Sequence, residues 1–173
     1  MHGCSFSNDA LKAAQKGYKR LANGLRIIRD MSFPEGTNEA LDVKHIDEIN
    51  NAIQGFYEGM NDDLNTAIGI AQLFNLLKKI NQLYTGQLSF EQLGVVAFSE
   101  LKSKYISFME DVLGLLEEKN ENWEALSKGL LNLYKDFKFN KNYEKVDEIR
   151  TYFKEMGLLV KDLKNITDWG YEE

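Results

Sequence analysis

Two stretches of this chain concentrate the side chains that bind polyanions. Between residues 10 and 29 stand Lys12, Lys16, Lys19, Arg20, Arg26 and Arg29, with no acid among them. Nearer the C-terminus Lys135, Phe137, Lys138, Phe139, Lys141, Tyr143, Lys145, Arg150, Tyr152 and Trp169 interleave cations with aromatic rings. Cations alone track phosphates without regard to base sequence, while cations beside aromatic faces suit unstacked bases and their backbone. Each stretch also has a plainer reading. The first is compatible with a solvated helix face, and in the second Phe137, Phe153 and Trp169 are compatible with core positions.

Self-sufficient catalysis finds no support. The chain has no GxxxxGK[ST] phosphate loop, no GxGxxG and no HExxH. His2, His45 and the lone Cys4 form no ligand-spaced cluster, and a Cys4–His45 nucleophile pair lacks an orienting group. Asp62-Asp63 suits helix capping better than Mg²⁺. The reading is no catalytic residue, no metal site and no cofactor in this chain. A small thiol- or metal-dependent enzyme would need activity that vanishes in Cys4→Ser.

A net charge of −6 conceals segregation, because residues 61–126 carry ten acids against five bases while residues 127–145 carry five lysines against Asp136 and Glu144. With 173 residues the chain is long enough to bury a core. One cysteine rules out a disulfide scaffold, and no apolar run approaches a membrane span. A cytoplasmic, globular protein without membrane association is expected.

The elements that position these residues are mostly helical. Leu11, Ala14, Tyr18, Leu21, Leu25 and Ile28 recur at helical spacing after candidate caps at Ser7, Asn8 and Asp9, and Phe33-Pro34-Glu35-Gly36 breaks the pattern. Ile46, Ile49, Ile53, Phe56 and Met60 predict a second helix. A third, from Ala67 to Leu83, is apolar around most of its circumference, which marks a helix in the middle of a bundle. Ser89 with Gln92 predicts a capping box opening a fourth, which runs through Leu101, Tyr105, Phe108, Val112 and Leu115. After a polar joint at 117–122, Trp123, Leu126, Leu130, Leu133 and Phe137 predict one more helix. Val146, Ile149, Phe153 and Met156 predict another, stopped by Gly157. Leu158–Val160 and Ile166–Tyr171 are β-compatible, with Lys164-Asn165 as a turn. The expected fold is mainly α: an antiparallel helical bundle over residues 1–116, then a small α+β module with a short β-hairpin over 123–173.

Three ordered motifs resemble a known family. Phe56-Tyr57-Glu58-Gly59-Met60-Asn61-Asp62-Asp63-Leu64-Asn65-Thr66 resembles the Phe-x-x-Ala-Met-Asp-Asp-Asp-Phe-Asn-Thr signature of the cysteinyl-tRNA synthetase helical (DALR-type) domain. Ser7-Asn8-Asp9-Ala10-Leu11, then Ala13-Ala14 and Gly17, is similar to the start of that domain. Lys141-Asn142-Tyr143, Val146-Asp147-Glu148-Ile149-Arg150, Met156 to Asp162 and Thr167-Asp168-Trp169 are similar to the family's ending.

The resemblance implies the C-terminal half of a class I aminoacyl-tRNA synthetase. The family's Rossmann domain, with its HIGH and KMSKS sequences and its zinc site, has no counterpart in these residues, so ATP and zinc are expected only there and this chain alone is expected to be inactive. The implied partners are cysteine tRNA and the catalytic domain of the same polypeptide, in a monomer. By motif position Asp147 and Asp162 match carboxylates that receive base edges of the GCA anticodon. Lys138 stands where the family has Arg, Tyr143 at an aromatic position, and Trp169 at the terminal Trp, a candidate stacking platform. Lys12, Lys16, Lys19, Arg20, Arg26 and Lys141 are the expected contacts to the tRNA backbone. The competing class is a helical protein–protein interaction module without tRNA binding.

Overall fold

The computed structural model describes residues 7–115, 121–163 and 167–172. His2, Cys4, joint residues 117–120 and the Lys164-Asn165 turn lie outside the described residues, as does the side chain of Trp123. Among the described residues the chain has six α-helices, a π-helical turn and one antiparallel β-hairpin, and no helix is long and apolar enough to cross a membrane. It divides into two compact units. One spans Leu21–Leu116; in the other the first part of α1, up to Arg20, groups with the elements beyond residue 117.

The first unit is a helical bundle. It comprises the later part of α1 (Asn8–Asp30), α2 (Val43–Asn61), α3 (Thr66–Thr85), α4 (Phe90–Ser107) and a π-turn at Phe108–Val112. Leu25, Ile28, Ile49, Phe56, Leu73, Leu76, Ile80, Leu101 and Tyr105 meet in one core. The apolar spacing of α1 ends in burial only from Leu21 onward, and Leu11 and Tyr18 stay exposed. α3 packs against both α2 and α4, as its apolar circumference predicts. Asn65 caps it, accepting from Ile68 N at 3.4 Å, and Gly86 closes it at φ 75°.

The capping box at Ser89 and Gln92 is present, but the helix it opens breaks at Gly94, φ 74°. A Cβ there would lie 2.5 Å from Leu41 Cδ2. Ala40 N and Asp42 N donate to the carbonyls of Glu91 and Gln92, and Glu39 Oε1 accepts from Val95 N at 2.7 Å. Glu39 thus caps the helix that restarts after the kink. Phe108, on the π-turn, stacks on Phe56 with centroids 3.7 Å apart.

In the second unit α5 (Glu121–Phe139), α6 (Tyr143–Glu155), β1 (Leu158–Asp162) and β2 (Thr167–Tyr171) share a smaller core of Leu131, Tyr134, Val146, Ile149, Phe153, Leu158 and Trp169. The hairpin pairs Leu158 with Tyr171 through to Asp162 with Thr167. Gly157, φ 71°, turns the chain from α6 into β1. Of the row predicted for α5, Leu130 and Phe137 pack against this core, but the buried face is rotated away from the other leucines. Leu126 and Leu133 are exposed, while Ser127, Leu131 and Tyr134 point inward. Leu130 and Leu131 are adjacent, so spacing alone does not decide which neighbours of each turn inward.

Candidate nucleic-acid interface

The second unit carries a polar cluster built on Asp162, the last residue of β1. Its two oxygens accept from four side chains on three elements. Oδ1 receives Lys138 Nζ at 2.9 Å and Thr167 Oγ1 at 3.0 Å; Oδ2 receives the Tyr134 hydroxyl at 2.7 Å and Arg150 Nη2 at 3.2 Å. Tyr134 and Lys138 lie one turn apart on α5, Arg150 comes from α6, and Thr167 is the cross-strand partner of Asp162. Burial pushes the Asp162 carboxyl up, but Tyr134, Lys138 and Thr167 together outweigh it and hold the pKa at about 2. Burial, with the bond to Asp162 second, pushes the Tyr134 hydroxyl up.

Arg150 extends the cluster. Its other terminal nitrogen, Nη1, lies 3.4 Å from Asp147 Oδ1, and its guanidinium stands 5.5 Å from the centre of the Tyr134 ring. One arginine therefore bridges the two carboxylates that the sequence singled out. They differ in availability: the side chain of Asp147 is 74% exposed, that of Asp162 only 26%.

The other expected residues separate by position. Tyr143, the first residue of α6, is 63% exposed, and Lys141 is exposed in the preceding turn. Trp169 is 8% exposed and packed in the small core, edge-on to Tyr171. Its ring braces the hairpin and offers no open face to a base, which is the plainer of its two readings. On α1, Lys12 and Lys16 are exposed and Lys19 donates to the carbonyl of Glu172 at 2.9 Å. Arg20 is exposed, Arg26 is partly buried, and both make interactions within the protein. Tyr134 and Thr167, to which sequence reasoning assigned no role, and Arg150, which it placed only among the interleaved cations, complete the cluster. Tyr134 on the inner face of α5, one turn before Lys138, was the available signal. Among the described residues no group of three His, Cys, Asp or Glu side chains is placed to hold a metal ion.

Comparison with known proteins adds two findings. Residues 55–117, which contain the Phe56–Thr66 signature and all of α3 and α4, match the DALR domain. A cysteine–tRNA ligase of Cytophaga hutchinsonii is 49% identical over 168 residues, covering 97% of this chain and 34% of that protein. Those of Bacteroides thetaiotaomicron and Phocaeicola vulgatus are 34% and 36% identical over 172 residues, each covering 95% of this chain and 33% of the relative. The chain thus contains a DALR domain and spans about a third of the length of the curated relatives it matches. It is homologous to a portion of the cysteine–tRNA ligases.

Proposed function

We propose that this chain is the C-terminal, tRNA-binding portion of a cysteine–tRNA ligase, which docks cysteine tRNA and reads its GCA anticodon while the rest of the ligase attaches cysteine using ATP. The observation that carries the reading is the pairing of an open carboxylate, Asp147, with the pre-ordered Asp162 cluster through one arginine. Asp147 accepts the N1–H and N2–H₂ of a guanine together, a donor pair that no other standard base offers. Asp162 takes a base N–H in exchange for one of its exposed donors, and Lys138 contributes charge without Arg's planar fork. Tyr143 stacks on a base. Lys12, Lys16, Lys19, Arg20, Arg26 and Lys141 hold phosphates and set register without reading sequence. ATP and zinc belong to the catalytic part of the same polypeptide, and this chain alone exchanges no pyrophosphate with ATP. The parent acts in the cytoplasm as a monomer.

The test is binding of the chain to a cysteine-tRNA transcript and to one whose first anticodon base is changed from G to C, at low and moderate salt. A loss of about 1–3 kcal/mol on the altered transcript, abolished in Asp147→Asn, supports anticodon reading; the magnitude is borrowed from base readout in DNA. Equal, salt-sensitive affinity for both reduces the function to phosphate tracking. No binding at either salt overturns tRNA binding by this chain and leaves the interaction-module reading.

A further inference from the structure

The turn between α5 and α6 holds an aromatic ring that neither the Asp162 cluster nor the core uses. Phe139, the last residue of α5, is 87% exposed, more than any other large apolar side chain among the described residues. Full solvation of a phenyl ring forfeits its burial free energy, and nothing in the local backbone forces the exposure through looseness. The turn is hydrogen-bonded throughout. Asn140 N donates to Asp136 O at 3.0 Å, Lys141 N to Lys138 O at 3.1 Å and Asn142 N to Phe137 O at 2.9 Å. The Asn140 amide also donates to Asp136 O, and the Asn142 side chain accepts from Lys145 N to start α6. Lys141 carries the turn in the left-handed region at φ 57°. Phe139 and Tyr143 are therefore presented from fixed backbone at the two ends of one tight turn.

The charge around them is complementary to a polyanion. Lys135 lies one helical turn before Phe139 and Lys141 lies between the two rings; both are exposed, and neither is held in an ion pair among the described residues. Lys138, adjacent to Phe139, links the turn to Asp162. Against these stand Asp136 and Glu144, also exposed. Lys145 is turned away to Glu148.

We infer that Phe139 is a second base-stacking platform beside Tyr143, and that the α5–α6 turn grips an unstacked nucleotide of a single-stranded RNA loop, with Lys135 and Lys141 on its flanking phosphates. The inference rests on the tRNA-binding reading above. Stacking accepts any base, so this platform supplies affinity and places the loop, while the carboxylates discriminate.

The experiment compares Phe139→Ala, Phe139→Leu and Phe139→Trp with the unaltered chain, measuring affinity for the cysteine-tRNA transcript across a salt series and unfolding by denaturant. With the side chain in solvent, unfolding midpoints stay unchanged. Phe139→Ala and Phe139→Leu lose roughly tenfold in affinity and Phe139→Trp retains it, because a π-face and not apolar area is required. The slope of log affinity against log salt is unaltered by all three, whereas Lys141→Ala lowers it by about one. If the unaltered chain binds and discriminates the transcripts but Phe139→Ala binds equally well, the platform is wrong and anticodon reading stands. If the unaltered chain binds neither transcript, the tRNA reading falls and the platform with it. If the substitutions change sedimentation and leave RNA affinity unmoved, Phe139 belongs to a protein contact and the inference is overturned.

Discussion

The buried Tyr134 donates its hydroxyl to Asp162 Oδ2 across 2.7 Å, and this bond joins the small core to the polar cluster above it. The ring is fully buried among Leu131, Ile149 and Phe153, so the hydroxyl has little freedom to follow a moving carboxylate. Tyr134→Phe keeps the ring and removes one of four donors. The expected cost is about 1.5–3 kcal/mol, the range for a hydrogen bond to a charged group. It should be accompanied by a rise in the Asp162 pKa, and denaturant unfolding with carboxyl NMR titration measures both.

The same carboxylate sets a pH dependence. Its folded-state pKa of about 2 lies below its ordinary value, so between the two the folded chain binds fewer protons than the unfolded chain. Stability from this group is complete above about pH 4 and drains away as pH falls toward 2. Solvent screening of the half-exposed Lys138 and Arg150 reduces the contribution to about 1 kcal/mol. In Asp162→Asn that acid-side slope should disappear, while stability at neutral pH drops. Unfolding midpoints measured from pH 2 to 7 decide it; a slope retained in the variant would assign it elsewhere.

What the sequence made legible follows from which interactions are local. Gly157 and the Ser89–Gln92 box act within a few residues of themselves, and each stands where pattern places it. The kink at Gly94 was invisible because apolar spacing continues through it from Leu93 to Ala97, and its cap, Glu39, arrives from 56 residues away. The π-turn at Phe108–Val112 interrupts a row that reads as straightforward helix through Leu115. In the candidate site, motif position singled out Asp147, Asp162, Lys138 and Tyr143. It did not report that Asp162 is saturated by donors from three elements, or that Trp169 is core, since both depend on how the hairpin closes onto α5 and α6.

Close packing of α1 in the bundle gives a third prediction. A Cβ on Gly24 would lie 2.2 Å from Leu77 Cδ1 and 2.8 Å from Tyr105 Oη. Leu77 Cδ1 is the end of a side chain packed in the core, and the Tyr105 hydroxyl is fixed by its 3.0 Å bond to Leu21 O. Gly24→Ala should therefore destabilise by about 1–3 kcal/mol, overriding the roughly 1 kcal/mol that alanine gains in helix propensity. Removing the hydroxyl relieves the half of the clash that is held by a hydrogen bond. Gly24→Ala combined with Tyr105→Phe should cost less than the sum of the single changes, which a thermal-unfolding cycle measures.

Lys79 presents the opposite problem, a cation among the buried, mostly apolar residues of α3. Its side chain is almost fully buried, and its ammonium meets Glu48 Oε2 and, at 2.8 Å, His45 Nδ1. The hydrogen bond from Lys79 is the largest influence on Glu48 and holds that carboxyl below its ordinary range. The partners are unequal in what their loss leaves behind. Glu48→Ala strands a desolvated ammonium without its carboxylate, whereas Lys79→Met fills the same volume with apolar atoms and leaves Glu48 exposed enough to rehydrate. Glu48→Ala should consequently lower the unfolding midpoint clearly more than Lys79→Met, and the double variant should resemble Lys79→Met alone. Equal losses from both single changes would mean that the ion pair itself, rather than the cost of an unpaired buried charge, stabilises this part of the bundle.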